Sequence, residues 1–166
     1  MKFISIHPAA LAYDITSITL HRNLKRIMET SIALTGSHAA AIIFYSHQDS
    51  CFTAAFTEGL SNHFINNMRF TPSGFAEQTL IKNMPLVCGD AQDSEHPLSG
   101  LAKQEEIRSY VCMPLTSEDT RLGVFCIYQK DADQFTPLTL NLLATFSKLA
   151  ANSIDSEREI QLRKER

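Results

Sequence analysis

The sequence has no tryptophan, and it contains only six glycines and six prolines among 166 residues. So little glycine and proline excludes a collagen-like or low-complexity chain. No apolar run approaches the ~18 residues of a membrane-spanning helix, and the first eight residues lack the apolar core of a signal peptide. We therefore expect a soluble, cytoplasmic protein without a membrane partner.

Charge of either sign is also scarce. Charged residues make up 20% of the chain, and the formal net charge is only −3. This balance does not supply the basic surface that nucleic acid requires, so we expect no nucleic-acid partner. A hydrophobic content of 44% excludes intrinsic disorder as well.

Cysteine motifs are missing too. Cys51, Cys88, Cys112 and Cys126 are too far apart in sequence to form a Cys-x-x-Cys unit, so neither a zinc site nor a disulfide framework is expected. We interpret the four residues as small, partly buried apolar side chains. The sequence thus predicts no metal and identifies no cofactor.

The chain length predicts one domain with some excess at its ends, because ~150 residues is an ordinary domain size. We expect an N-terminal segment over 1–15, a domain over 16–156 and a helical extension over 157–166. The extension is rich in charge, which is typical either of a solvated chain end or of a helix that leads into a further module.

Hydrophobic periodicity and turn residues predict a mixed order of helices and strands. An amphipathic helix is predicted over 14–35, with Gly36 as its C-cap. A long last helix is predicted to begin with Thr136 as N-cap and Pro137 in its first turn. Its predicted buried stripe consists of Leu138, Leu142, Phe146, Leu149 and Ala150. The elements between these two helices are predicted as strands 39–46, 51–57, 86–88, 109–115 and 122–129, and as helices 60–67, 75–84 and 97–106.

The first two and the last two of these strands are predicted hairpins, which indicates an antiparallel sheet. Both strands of the first hairpin are apolar on both faces, so the sheet is expected to be covered on each side. We therefore predict an α+β fold, a central antiparallel sheet of five to six strands with helices on both faces.

Four segments in this order resemble the GAF family of small-molecule-binding signalling domains. The first is the hairpin over 39–56, which follows an amphipathic helix. The others are PLVCGD at 85–90, RSYVCMPL at 108–115, and LGVF at 122–125 followed by Phe135-Thr136 and an apolar helix. The resemblance covers residues 16–156 and implies a GAF/PAS-like sandwich.

The resemblance also implies a function. Such domains enclose a pocket between one face of the sheet and two covering segments, which here are 68–84 and 90–107. They mostly regulate: a ligand in the pocket shifts flanking helices, which dimerise and drive an output domain such as a kinase. On this basis we expect a sensor that is not an enzyme, with a non-covalent small-molecule ligand and a homodimer formed through its terminal helices.

Strand alternation predicts the pocket floor. If the last hairpin turns at Asp119, residues whose numbers sum to about 238 are paired. Tyr110 is then opposite Tyr128 and Cys112 is opposite Cys126, all on one face. The resemblance implies that the positions of Tyr110, Cys112 and Tyr128 look into the pocket.

The first strand contributes to the same predicted floor through Ile43 and Tyr45. The opposite face is purely aliphatic or aromatic, and we expect it to pack on the terminal helices. Its predicted residues are Val111, Met113, Phe125 and Ile127.

The covering segments add Phe75, Asp90 and His96 to the predicted site. His96 could donate to an anionic ligand or serve as an axial haem ligand, and the alternative is a solvated loop histidine. Asp90 is interpreted first as a turn former whose carboxylate accepts from free loop amides. Arg69 and Arg108 are the cations nearest the pocket, and each could hold a carboxylate or pair on the surface.

A thiol-based function is the alternative. Cys88, Cys112 and Cys126 lie on or near the predicted pocket strands, where a redox sensor or an enzyme like the family's free methionine-(R)-sulfoxide reductases would use them. Those enzymes have a cysteine after the third strand and an Asp-x-Asp pair on the last strand, where this chain has Cys126-Ile127-Tyr128. The cysteine of bilin-binding members is missing from 90–107, and the cyclic-nucleotide signature is also missing.

Overall fold

The computed structural model describes residues 17–70, 73–118 and 120–166. The predicted N-terminal segment 1–15 lies outside these described residues. The elements, in chain order, are α1 (Ile18–Thr35), β1 (Ala39–Ser46), β2 (Cys51–Glu58), α2 (Asn62–Asn67), α3 (Phe75–Lys82), β3 (Leu86–Cys88), α4 (Ser99–Glu105), β4 (Ser109–Ser117), β5 (Thr120–Gln129) and α5 (Pro137–Lys164).

The strands form one five-stranded sheet in the order β2-β1-β5-β4-β3. Every neighbouring pair is antiparallel. The predicted α+β fold around an antiparallel sheet is therefore confirmed. Within the described ranges, no helix combines the length and the apolar character that crossing a membrane would take.

Both terminal helices begin at a capping side chain. Ser17 Oγ accepts a hydrogen bond from Leu20 N at 3.2 Å, so Ser17 caps α1, which begins at Ile18. Residues 14–16 of the predicted helix lie outside the described residues. Gly36 ends this helix with a φ of 64°, a left-handed conformation in which glycine is favoured. Thr136 caps α5 as predicted, since its Oγ1 accepts from Thr139 N at 3.2 Å.

The two faces of the sheet are covered by different helices. One face packs against α1 and α5, and its core includes the four predicted residues Val111, Met113, Phe125 and Ile127. The other face packs against side chains of α2, α3 and α4. Helices therefore cover both faces of the sheet, as predicted, and the sheet separates the two core layers.

The predicted buried stripe of α5 is wrong at two positions, because Leu138 is 79% exposed and Leu149 is 47% exposed. The helix packs through a neighbouring stripe with smaller side chains. Ser147, for example, is buried and donates from Oγ to the Pro114 carbonyl oxygen of β4 at 2.7 Å. Small residues allow α5 to lie close to the sheet. The buried residues are Leu143, Phe146, Ser147, Ala150, Ala151 and Ile154.

Candidate functional site

The floor of the candidate site is built by β4 and β5. Tyr110 is paired with Tyr128, and Cys112 with Cys126, in the register of these two strands. All four are buried in the same core layer, which also holds Ile43 of β1. The predicted pairing is therefore confirmed, and Asp119, its predicted turn centre, lies outside the described residues.

A cavity of about 80 Å³ lies over this floor. Two segments cover it, one around the beginning of α3 and one before α4, and both fall inside the segments predicted from the sequence. The described residues that line it are Ile43, Met68, Arg69, Phe70, Gly74, Phe75, Ala76, His96, Pro97, Leu98, Tyr110, Cys112, Cys126 and Tyr128.

Seven of the nine residues predicted for the site line this cavity, and Tyr45 and Asp90 do not. The pairing of β1 with β5 ends at Phe44, one residue before Tyr45. Beyond that point the Tyr45 ring packs on the ring of Phe52, with centroids 4.9 Å apart. The end of the strand pairing thus places Tyr45 beside the cavity and not in its floor.

Asp90 forms a turn and an ion pair away from the cavity. Its Oδ1 accepts from Gln92 N at 3.0 Å, and its Oδ2 accepts from Arg108 Nη2 at 3.0 Å. These hydrogen bonds, that of Arg108 above all, hold the pKa of Asp90 below its usual range. The geometry agrees with the interpretation of Asp90 as a turn former. The ion pair also engages the guanidinium of Arg108.

Aromatic rings in mutual contact form the wall of the cavity. The centroids of Phe75 and Tyr110 are 5.4 Å apart in an edge-on arrangement, and those of Tyr110 and Tyr128 are 5.8 Å apart. His96 extends this row, with its centroid 5.8 Å from that of Phe75. Contacts of this kind favour the edge-on and tilted geometries seen here. The row gives the cavity a continuous apolar surface.

Both ring nitrogens of His96 are engaged. Leu98 N donates to His96 Nδ1 at 3.1 Å, which places the proton of the neutral ring on Nε2. Nε2 lies 2.9 Å from the Tyr110 hydroxyl oxygen and donates to it. Burial lowers the pKa of His96, so the neutral ring is favoured. This arrangement differs both from a solvated loop histidine and from an axial haem ligand, because both ring nitrogens are hydrogen-bonded within the protein.

The thiols of the floor are close together. The Sγ atoms of Cys112 and Cys126 are 3.2 Å apart. This contact and burial raise the pKa of Cys112, and burial raises the pKa of Cys88 to about 11. Thiols attack as thiolates, so Cys88 and Cys112 have little nucleophilic character. No group of His, Cys, Asp or Glu in the described part of the chain is arranged to hold a metal ion.

Several residues of the lining are not predicted individually from the sequence. Met68, Phe70 and Gly74 belong to the loop that leads into α3, and Pro97 and Leu98 precede α4. Loop residues carry no periodic signal, so the residues alone do not show which of them face a cavity. The available signal was the family resemblance, which indicated both covering segments as a whole.

Comparisons with known proteins agree with this fold. One solved structure is the GAF domain of a phosphoenolpyruvate-protein phosphotransferase from Coxiella burnetii, with a TM-score of 0.75, 15% identity, and coverage of 89% of this chain and 90% of that chain. Another is a GAF domain/HD domain protein from Geobacter sulfurreducens, with a TM-score of 0.69, 16% identity, and coverage of 87% and 98%. A third is the free methionine-R-sulfoxide reductase from Neisseria meningitidis in complex with its substrate, with a TM-score of 0.68, 18% identity, and coverage of 88% and 84%.

A search of curated protein sequences found no match. The scan against protein families matches the GAF domain over residues 19–154. This match spans most of the chain, and its limits enclose every strand of the sheet and the helices that cover the cavity. The chain therefore belongs to the GAF domain family.

Proposed function

We propose that this chain is a regulatory domain that binds a small molecule non-covalently in the cavity and signals through its terminal helices. The observation that carries the proposal is the division of the sheet into two layers. One face carries a cavity with polar groups in an apolar wall, and the other face packs on α1 and α5. A ligand on the first face can therefore act on the helices through the strands between them.

Strand β4 is the element that connects the two layers. Tyr110 and Cys112 point to the cavity, while Val111 and Met113 alternate with them and pack in the core beneath the terminal helices. Side chains of α5 also bind β4 directly: Ser147 donates to Pro114, and Ser117 of β4 donates to the Asp155 carboxylate. A shift of β4 would thus displace α5 as well.

The cavity can be tested with a metabolite library and a thermal-shift assay on the full chain. At least one compound is expected to raise the melting temperature. Ala76→Leu places extra methyl groups in the cavity lining, so it is expected to abolish that shift. Ala33→Leu, on the exposed side of α1, is the matched control and should retain it. A library without any stabilising compound would reject the proposal.

The homodimer is part of the same proposal. Leu149 and Ile160 of α5 are exposed, and both border a groove between α5 and the beginning of α1. Exposed apolar side chains along a groove favour association, and homodimers are the most common oligomers. Leu149→Glu with Ile160→Glu is expected to give a monomer in light scattering, whereas Ile81→Glu, an exposed position on α3, should leave the mass unchanged. A wild-type monomer at high concentration would contradict the dimer.

An output module belongs to the proposal as well. The names of two structural neighbours place a GAF domain beside another module: an HD domain in one protein and a phosphotransferase in the other. We infer a comparable role for this chain, with α5 as the connecting helix toward a kinase or another output domain. Fusing the chain through α5 to a histidine kinase core would test it, since added ligand should then change autophosphorylation.

We propose that the domain has no catalytic role. The close approach of Cys112 and Cys126 is the observation that favours a thiol function, but the raised pKa of Cys88 and of Cys112 opposes thiolate attack. Wild type and the variants Cys112→Ser and Cys126→Ser are all expected to show no NADPH-coupled sulfoxide reduction. Turnover by the wild type that either variant loses would establish the thiol alternative.

A further inference from the structure

The lining of the cavity is uneven in charge. Among its described residues there is no aspartate and no glutamate, whereas Arg69 stands at the rim. His96 is engaged at both ring nitrogens, and burial raises the pKa of Tyr110 and of Tyr128, which favours their neutral forms. The lining thus offers one positive charge and no negative charge to a ligand.

Arg69 has no acidic partner among the described residues. The ion pairs that these residues form involve other cations, and Arg108, the second arginine considered from the sequence, is held by Asp90. Glu77, the acid of α3, accepts from Ser73 N at 2.5 Å. A guanidinium without a carboxylate partner is well suited to bind an incoming carboxylate in a bidentate manner.

The size and the walls of the cavity limit the rest of the ligand. A volume of about 80 Å³ is below the ~150 Å³ of a cavity that binds benzene. Its size therefore suits a ligand body of only a few carbon atoms. The row of Phe75, Tyr110 and Tyr128 offers apolar contact to such a body.

We propose that the ligand is a small monocarboxylate with a short apolar body. Its carboxylate binds Arg69 at the rim, and its body lies against Phe75, Tyr110 and Tyr128. The inference rests on the proposed function, because it names the ligand class of the same cavity. A small cation finds no carboxylate in this lining, and a ligand of nucleotide size is much larger than the cavity.

The test is a titration of the full ¹⁵N-labelled chain at constant sodium concentration. The chemical shifts of the backbone amides are measured at each ligand concentration. The probes are butyrate, its neutral analogue butyramide and its cationic analogue butylamine. Butyrate is expected to bind at least ~10-fold more tightly than either analogue, as a lost charge-assisted hydrogen bond implies. Its shifts should concentrate in 68–76 and on β4 and β5. Benzoate, which is bulkier than the cavity, should bind more weakly than butyrate.

Arg69→Gln is expected to remove the preference, so that butyrate and butyramide bind about equally. Arg26→Gln, an exposed position on α1, is the matched control and should retain it. Equal binding of acid and amide to the wild type, a preference that survives in Arg69→Gln, or no binding of butyrate would each overturn the inference. In the last case, stabilisation by an uncharged library compound would keep the proposed function and reject this ligand class, whereas stabilisation by none would reject both.

Discussion

Replacing Gly123 by alanine is expected to destabilise the domain strongly, because the backbone of β1 lies very close to β5 at this residue. A Cβ atom at Gly123 would overlap the Ile43 carbonyl and lie 2.9 Å from Phe44 Cα, a contact with backbone and not with a mobile side chain. The residue also has a φ of 156°, a conformation that other residues rarely adopt. This close approach explains the glycine in the LGVF segment in physical terms.

The expected loss follows from these two effects. Overpacking costs about 1–3 kcal/mol, and a strained backbone conformation costs another 1–3 kcal/mol, roughly. Together they predict a loss of about 2–6 kcal/mol in the free energy of unfolding. A domain of ordinary stability has about 5–15 kcal/mol in total, so the variant is expected to keep only part of it. Urea denaturation followed by far-ultraviolet circular dichroism measures the difference.

The matched control is Gly100→Ala in α4. A Cβ atom at Gly100 meets nothing within 4 Å, and the residue has no positive φ. Alanine there is expected to stabilise the domain by about 0.5–1 kcal/mol, because it restricts the unfolded chain and favours a helix.

A loss below about 1 kcal/mol in Gly123→Ala would refute the reasoning, since it would mean that β1 moves away at little cost. If the loss is as large as expected, the displacement also reaches Ile43, which lines the cavity. The ligand-induced rise in melting temperature should therefore be smaller in Gly123→Ala than in Gly100→Ala.

Three further outcomes are expected. Burial lowers the pKa of His96 from 6.5, so between the lowered pKa of the folded state and 6.5 the unfolded chain binds a proton that the folded chain does not. The free energy of unfolding should thus fall as the pH drops from 6.5, and urea titrations of His96→Gln should show a smaller fall; equal falls would contradict this. Iodoacetamide with peptide mass spectrometry should label the partly exposed Cys51 well before the buried Cys88; labelling at the same rate would contradict the burial. Leu143→Ala should cost about 2–5 kcal/mol and Leu138→Ala less than about 0.5 kcal/mol in denaturation, and comparable losses would restore the stripe predicted from the sequence.

The sheet could be predicted well because its signals are local. Alternation with a period of two and a short turn determine the register of β4 and β5, so the pairs Tyr110–Tyr128 and Cys112–Cys126 follow from the residues alone. The orientation of α5 could not be predicted in the same way. Large apolar residues dominate a hydrophobic pattern, whereas α5 packs through Ser147 and Ala151, which contribute little to it.

The candidate site was predictable in its floor and less so in its cover. Tyr45 obeys the strand period, but the pairing of β1 with β5 ends one residue before it, and that end depends on tertiary contacts. The pairing of Arg108 with Asp90 likewise joins residues 18 positions apart in sequence. Neither effect is visible in the local hydrophobic pattern. The sequence therefore does not show that Arg108 is paired with Asp90 while Arg69 has no acidic partner among the described residues.

The row of rings in the cavity also has an optical consequence. The chain has no tryptophan and four tyrosines, and two of these, Tyr110 and Tyr128, line the cavity. Their emission is not masked by energy transfer to an indole, and their ultraviolet absorption depends on the polarity around the phenol. The domain therefore carries its own spectroscopic reporter of occupancy, and a ligand that enters the cavity can be followed in the wild-type chain without a dye or a label.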